Sequence, residues 1–207
     1  MDKLRIKGIK QIEFLTKGKR GYVYTGIYKN KKVAIKIKNP DSKAESRIQN
    51  EIKFTKLLNK YKIAPKFLFA DKKGSYLLQE YINGIFFPEF AEKNNKIKIK
   101  KVIVDVFKQC YILDQLKIDK EEMHNPYKHI IVAKQNKPFL IDFERCHYVI
   151  AGKNVTQFAT YFISRFMENL LKKKKIKINR KKMISTAQIY KHCQTKENLY
   201  AIIKNIC

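Results

Sequence analysis

Apolar and polar residues alternate in short runs through the first 80 residues, a pattern typical of half-buried strands. The polar turn Lys29-Asn30-Lys31 separates two of these runs, as in a hairpin. The sequence predicts five strands here, at Ile9–Thr16, Tyr22–Tyr28, Lys32–Ile37, Phe67–Asp71 and Tyr76–Glu80. They are expected to form one antiparallel sheet.

One helix is predicted between the third and fourth strands. Ser42 is its predicted N-cap, Glu45 occupies the capping-box position, and the helix continues to about Asn59. Helical spacing places Glu51 within an apolar stripe formed by Ile48, Ile52, Thr55 and Leu58. Burying a lone carboxylate is costly, so Glu51 requires a partner of opposite charge.

Beyond Gly84 the pattern becomes mainly helical. Long helices are predicted at about 97–116 and 155–171, and short ones at 184–192 and from Lys196, which follows a Thr195 cap. Between them, Ile130-Ile131-Val132 and the run that ends at Ile141 form a predicted hairpin. The fold class is therefore α+β, with a sheet-rich domain at 1–82 and a mainly helical domain at 83–207.

The composition is strongly basic, with 46 Lys+Arg against 18 Asp+Glu and a formal net charge of +28. Such an excess favours contact with polyanions, including RNA or a ribosomal particle. The run at 172–182 is the densest basic stretch, although the charge is alternatively a solvated coat spread over every face. No apolar run is long enough for a membrane span, and the four cysteines lack metal-ligand spacing. We therefore expect a cytoplasmic protein without a membrane partner.

Candidate chemistry lies at two predicted strands. Lys36 ends the run Val33-Ala34-Ile35-Lys36, and strand alternation turns it away from the Val/Ile side. Asp142 follows Pro138-Phe139-Leu140-Ile141, so a short buried strand delivers a carboxylate at its end. The stretch Gly18-x-x-Gly21-x-Val23 joins the first two strands and is either a phosphate-binding loop or an ordinary hairpin turn.

In this order the motifs resemble the protein-kinase superfamily over about residues 9–171. The closest likeness is to small atypical kinases of the RIO type and related archaeal predicted Ser/Thr kinases. The resemblance rests on Gly18, Gly21, Val23, Val33-Ala34-Ile35-Lys36, Glu51, the stretch Gln79–Gly84, Ile130-Ile131-Val132 and Ile141-Asp142-Phe143-Glu144. It implies a two-lobe fold, with a five-stranded N-lobe sheet, one αC-type helix, a helical C-lobe, and Mg²⁺ and ATP as cofactors.

The resemblance also implies roles for individual residues. Lys36 would hold the α- and β-phosphates, Glu51 would orient Lys36, and Asp142 would bind Mg²⁺. Gly18, Gly21, Val23 and Ala34 would contact the nucleotide, with the backbone at Glu80 and Ile82 serving as the hinge.

The catalytic loop departs from the kinase pattern. Alignment on Ile130-Ile131-Val132 places His124 where kinases have the catalytic Asp, and His129 where they have a metal-binding Asn. His124 is then the candidate base and His129 a candidate metal ligand, although Mg²⁺ prefers oxygen ligands. A shifted alignment instead recruits Glu121 or Glu122.

Three functions follow from these patterns. The first is an ATP-dependent atypical Ser/Thr kinase that acts on a protein hydroxyl, on itself, or on a small-molecule acceptor. The second is a nucleotide-binding pseudokinase that contacts RNA or a ribosomal particle through its basic surface. The third is a nucleic-acid-binding module with no nucleotide role.

Overall fold

The structure is a computed structural model that describes residues 4–18, 21–38, 47–71 and 74–206. These ranges exclude the predicted cap Ser42 and the capping-box residue Glu45. They also exclude Lys19 and Arg20, which lie between the two glycines of the predicted phosphate-binding loop. The chain forms two compact units. The first comprises Met1–Ile82 with Asp142–Glu144, and the second Asn83–Ile141 with Arg145–Cys207.

The fold class is α+β, and the predicted five-stranded antiparallel sheet is confirmed. The sheet lies in the first unit in the order β1-β2-β3-β5-β4. Its strands are β1 (Ile9–Lys17), β2 (Gly21–Tyr28), β3 (Lys31–Lys38), β4 (Phe67–Ala70) and β5 (Tyr76–Glu80). Helix α1 spans Arg47–Asn59 in the described part of the chain.

The turn between β2 and β3 sets the register of the sheet. Lys29 and Asn30 have φ values of 47° and 59°, as in the two-residue turns that match the twist of a hairpin. This turn pairs Tyr28 with Lys31, and the register then places Val23 opposite Lys36. Lys36 also pairs with a residue on its other side, Leu77 of β5.

The two faces of the sheet differ in chemistry. Val33 and Ile35 pack with Ile9 and Leu78 in a hydrophobic cluster on one face. Strand alternation places Lys36 on the opposite face, as predicted. The strand thus presents its cation away from the apolar cluster.

The second unit is mainly helical. Its helices are α2 (Phe87–Lys93), α3 (Lys96–Gln115), α4 (Asn154–Phe162), α5 (Arg165–Lys173), α6 (Arg180–His192) and α7 (Lys196–Lys204), which makes seven α-helices with α1 in the described ranges. The single helix predicted at 155–171 is wrong, because it is divided into α4 and α5. Ser164 separates them and caps α5, its hydroxyl accepting from the amide of Met167 at 3.4 Å.

Short strands complete the second unit. The predicted hairpin is present as β8 (Ile130–Ala133) and β9 (Lys137–Leu140), and β6 (Gly84–Phe86) pairs with β8. Another pair joins β7 (Ile118–Lys120) to β10 (Cys146–Tyr148), with Lys120 opposite Cys146. None of the helices in the described ranges combines the length and apolar character that crossing a bilayer requires.

A fully buried carboxylate, Asp114 of α3, holds the second unit together. It accepts hydrogen bonds from the Asn154 backbone at 2.9 Å, the Val155 amide at 3.2 Å and the Tyr190 hydroxyl at 3.0 Å. The Asn154 side chain also donates to it at 2.7 Å. Burial raises the pKa of Asp114, and these donors oppose that rise. Asp114 therefore fixes the start of α4 against α3 and α6.

We predict that Asp114→Ala lowers the free energy of unfolding by about 3 kcal/mol, because it leaves buried donors without an acceptor. Asp105→Ala on the same helix is the control. Asp105 forms an i,i+4 pair with Lys101 at 2.8 Å, so its loss should change stability by less than about 0.5 kcal/mol. Urea unfolding followed by circular dichroism measures both. Equal losses in the two variants would contradict a structural role for Asp114.

Candidate functional site

The predicted pair of Lys36 and Glu51 forms within the first unit. The Lys36 Nζ donates to the Glu51 Oε1 at 2.5 Å. The side chains are 19% and 4% exposed, so solvent screens this ion pair only weakly. Glu51 lies on the buried side of α1 with Phe54, Thr55 and Leu58, which confirms that the helix carries a carboxylate in its buried stripe.

The second oxygen of Glu51 holds a different part of the chain. Its Oε2 accepts from the backbone amide of Phe143 at 2.7 Å. The neighbouring Asn50 adds a second contact, because its Nδ2 donates to the carbonyl oxygen of Glu144 at 2.8 Å. Two consecutive residues of α1 therefore bind the backbone of the Asp142–Glu144 segment. The role of Asn50 is not predicted from the sequence, where only its position next to Glu51 hints at it.

Asp142 lies beside the ion pair. Its Oδ1 is 3.6 Å from the Lys36 Nζ, which is longer than a hydrogen bond, and its side chain is 37% exposed. The backbone at Asp142 has a φ of 65°, in the left-handed region that Asp tolerates better than most residues. The structure thus combines a half-buried ammonium, a buried carboxylate and a more exposed carboxylate in one cluster.

The charges of this cluster keep Lys36 protonated. Burial by itself lowers the pKa of Lys36, but the nearby carboxylates of Glu51, Asp142 and Glu144 outweigh burial and raise it. A raised pKa in the folded state contributes stability that is complete below the unfolded value of about 10.4. That contribution is lost only as the pH rises through the folded value. Lys36 is therefore a permanent cation at neutral pH.

The glycines of the predicted phosphate loop form the connection between β1 and β2. The amide of Gly18 donates to the carbonyl of Gly21 at 2.9 Å. A Cβ on Gly21 would lie 2.5 Å from the carbonyl oxygen of Ile37, so packing against β3 already explains this glycine. Gly18 has room for a side chain, its nearest neighbour lying 3.6 Å away.

The other predicted nucleotide-binding residues occupy β2, β3 and the end of β5. Cross-strand pairing and alternation place Val23, Ala34 and Lys36 on the same face of the sheet. At the end of β5, the amide of Glu80 donates to the carbonyl of Lys66 at 2.8 Å, so this amide is already engaged within the chain. Ile82 is buried and ends the first unit.

The predicted catalytic-loop histidines belong to the second unit. His124 is exposed at the end of the 3₁₀ turn Glu121–His124, and its Nδ1 lies 2.6 Å from the carbonyl oxygen of Glu121. His129 is partly buried, and its backbone carbonyl accepts from the amide of Ile141 at 3.0 Å. In the described ranges, no group of three or more His, Cys, Asp or Glu side chains is arranged to hold a metal ion.

A buried ion pair that sequence analysis did not predict lies next to His124. Lys120 is fully buried, and its Nζ donates to the Glu122 Oε2 at 2.9 Å. The Arg145 Nε lies 3.9 Å from the other oxygen of Glu122, and Arg145 also pairs with Glu121. Burial alone would raise the pKa of Glu122, but Lys120 outweighs it and lowers the pKa. Glu122 is therefore held in place as an anion.

Comparison with known proteins identifies no relative. No model of a known protein family matches the chain, and a search of curated proteins finds no match.

We predict that Lys36→Met lowers the free energy of unfolding by about 3–5 kcal/mol, because it leaves the buried Glu51 carboxylate without its cation. Lys38→Met on the same strand is the matched control. Lys38 makes no side-chain ion pair with a described residue, so its loss should change stability by about 0.5 kcal/mol or less. Urea unfolding measures both variants.

Adding Glu51→Gln to Lys36→Met should destabilise the protein less than the sum of the two single changes. We expect a coupling of at least about 1 kcal/mol, because the neutral amide no longer needs the missing cation. The same unfolding experiment completes this double-mutant cycle. Additive losses would show that the two side chains stabilise the fold independently.

Proposed function

We propose that the protein is an ATP-dependent phosphotransferase with a protein-kinase-like two-lobe fold. The contacts of the Glu51 carboxylate carry this proposal. One of its oxygens accepts from Lys36 and the other from the Phe143 amide, and Asp142 lies beside Lys36. A lysine on the third strand, a glutamate on the following helix and a strand-end Asp-Phe are the parts that position a nucleotide in kinases. Here they occur together in three dimensions as well as in order.

The donor set fits Mg²⁺ and ATP. In the described ranges the Lys36 ammonium donates one hydrogen bond, to Glu51, although it can donate three. Asp142 presents oxygen, which is the ligand atom that Mg²⁺ prefers, on a side chain that solvent reaches. A scaffold role would not require an accessible carboxylate to lie beside a permanent cation that a buried glutamate holds.

Each residue has a distinct role in this proposal. Lys36 would bind phosphate oxygens, Glu51 would fix its position, and the Asp142 carboxylate would hold the metal. When bound, Mg-ATP supplies the transferable γ-phosphoryl group and a divalent charge that stabilises the transition state. The carbonyl oxygen of Glu80 and the backbone of Ile82 would contact the base. A serine or threonine hydroxyl, on a protein or on the chain itself, is the proposed acceptor.

We assign the acceptance of the hydroxyl proton to Glu122 rather than His124. The Glu122 carboxylate is held by Lys120 and is 11% exposed, so its position is fixed before a substrate arrives. His124 is exposed, and one of its ring nitrogens already faces the Glu121 carbonyl. Anchoring within the second unit favours the Glu122 carboxylate, whereas its lowered pKa makes it a weaker base than a free carboxylate.

We expect the purified protein to transfer labelled phosphate from Mg-ATP to itself or to a basic test protein. Asp142→Asn should lower the rate by about 100-fold or more, because the uncharged amide binds the metal weakly. Asp105→Asn, remote in sequence and on the second unit, should retain the activity. Absence of transfer from the folded protein, with Mg²⁺ or with Mn²⁺, would exclude this reaction under those conditions. Retained Mg-ATP binding would then favour a nucleotide-binding pseudokinase.

The base assignment has a separate test. We expect Glu122→Gln to lower kcat by about 10²–10⁴-fold, while the Kd for Mg-ATP stays within about twofold. His124→Gln should change kcat by less than about threefold. Phosphate-transfer kinetics and calorimetric titration with a non-hydrolysable ATP analogue provide the two readouts. The reverse pattern would assign the base to His124.

A further inference from the structure

Residues 172–182, called here the basic segment, concentrate positive charge to an unusual degree. Eight of its eleven residues are Lys or Arg, whereas the other 196 residues contain 38. All 18 acidic residues lie elsewhere in the chain. The proposed phosphotransfer reaction uses none of these cations, so the segment needs a separate explanation.

The segment has a defined conformation. It comprises the end of α5, a short connection and the first turn of α6. Ile176 is 3% exposed and anchors the connection, and its amide donates to the carbonyl of Leu171 at 3.0 Å. Asn179 caps α6, its side-chain oxygen accepting from the amide of Lys182 at 3.0 Å. The cations are therefore presented from an ordered backbone.

Most of these cations lack a counter-charge. Lys174 donates to the carbonyl of Glu92 at 2.5 Å, and Arg180 donates to the Ile163 carbonyl at 2.6 Å and lies 3.3 Å from Glu168. The remaining six side chains are exposed and form no ion pair within the described ranges: Lys172, Lys173, Lys175, Lys177, Lys181 and Lys182. The segment thus offers six uncompensated ammonium groups.

This arrangement opposes stability. Adjacent ammonium groups repel one another, and the first-turn residues Lys181 and Lys182 lie at the helix end where the macrodipole already favours negative charge. No acidic residue occupies that first turn. A bound polyanion relieves both effects at once, because it brings several negative charges to fixed cations.

We propose that the basic segment binds the phosphate backbone of a nucleic acid without sequence preference. Lysine ammonium groups act as point charges that contact phosphates, and the planar fork of Arg is better shaped than Lys for reading base edges. The one arginine of the segment is already engaged by Ile163 and Glu168. Backbone binding is therefore the chemistry that the available side chains support.

The same features disfavour a membrane surface as the partner. Peripheral membrane segments combine basic residues with apolar side chains that enter the lipid. The two apolar residues of the basic segment are Ile176, which is buried, and Ile178, which is half-buried. Neither projects from the charged surface as an exposed anchor. The segment offers charge alone.

The test is the binding of a fluorescein-labelled 20-nucleotide oligouridylate over a range of salt concentrations. One variant replaces Lys172, Lys173, Lys181 and Lys182 with Gln. A control variant makes the same change at four exposed lysines of the first unit: Lys10, Lys31, Lys60 and Lys66. Both lose the same charge. Circular dichroism and thermal unfolding establish that both variants remain folded, and neither measurement requires phosphotransfer.

We expect the segment variant to bind at least tenfold more weakly at 50 mM salt. Its slope of log K against log salt should be shallower by about 3, because each phosphate contact to a single strand contributes about 0.7. The control variant should keep a slope within about 1 of the native protein.

Three results would overturn the proposal. Equal losses of oligouridylate affinity in both variants would show that the positive charge acts as a uniform coat. Absence of oligouridylate binding by the native protein would show that the basic segment is not a nucleic-acid-binding surface. The native protein could instead bind vesicles of 30% phosphatidylserine but not oligouridylate, with the segment variant losing vesicle binding. That result would assign the basic segment to a membrane surface.

Discussion

The need to compensate one buried negative charge organises the first unit. Glu51 is 3% exposed, and an uncompensated carboxylate in that environment would destabilise the fold by several kcal/mol. Its two oxygens satisfy this requirement in different ways, one with the Lys36 ammonium and the other with the Phe143 amide. The strand, the helix and the Asp142–Glu144 segment are thus held by one side chain. The arrangement brings Asp142 close to Lys36, and the Asp142 carboxylate takes no part in these two hydrogen bonds of Glu51.

The second unit buries three carboxylates, Asp114, Asp119 and Glu122, and the surroundings of Asp114 and Glu122 differ. Asp114 is bound by amide and hydroxyl donors, which place the start of a helix and leave no room for a ligand. Gly152 illustrates how closely the chain packs there, because a Cβ at that position would collide with Asp114. Glu122 instead faces the ammonium of Lys120, which keeps it charged at the edge of solvent. Neutral donors oppose the rise in pKa that burial causes at Asp114, whereas the Lys120 ammonium lowers the pKa of Glu122 and keeps it ionised.

The sequence was informative where a local pattern has a direct physical cause. Alternation predicted the five strands, and a carboxylate within an apolar stripe predicted that Glu51 has a partner of opposite charge. The resemblance to kinases named Lys36 as that partner. Strands of three residues, such as β7 and β10, are too short to show the alternation of apolar and polar positions. The break at Ser164 depends on a single capping residue within a longer helical pattern. The contact of Asn50 with Glu144 joins residues 94 positions apart, which no local pattern encodes. Burial of Lys120 likewise becomes visible only in three dimensions.

The Asp142–Glu144 segment also determines when the second hydrogen bond of Glu51 can form during synthesis. Phe143 follows Glu51 by 92 residues, so a ribosome adding about 5–20 residues per second reaches it roughly 5–20 s later. Until then Glu51 has Lys36 but lacks the amide that satisfies its second oxygen. The charged centre of the first unit therefore closes only after much of the second unit has been translated.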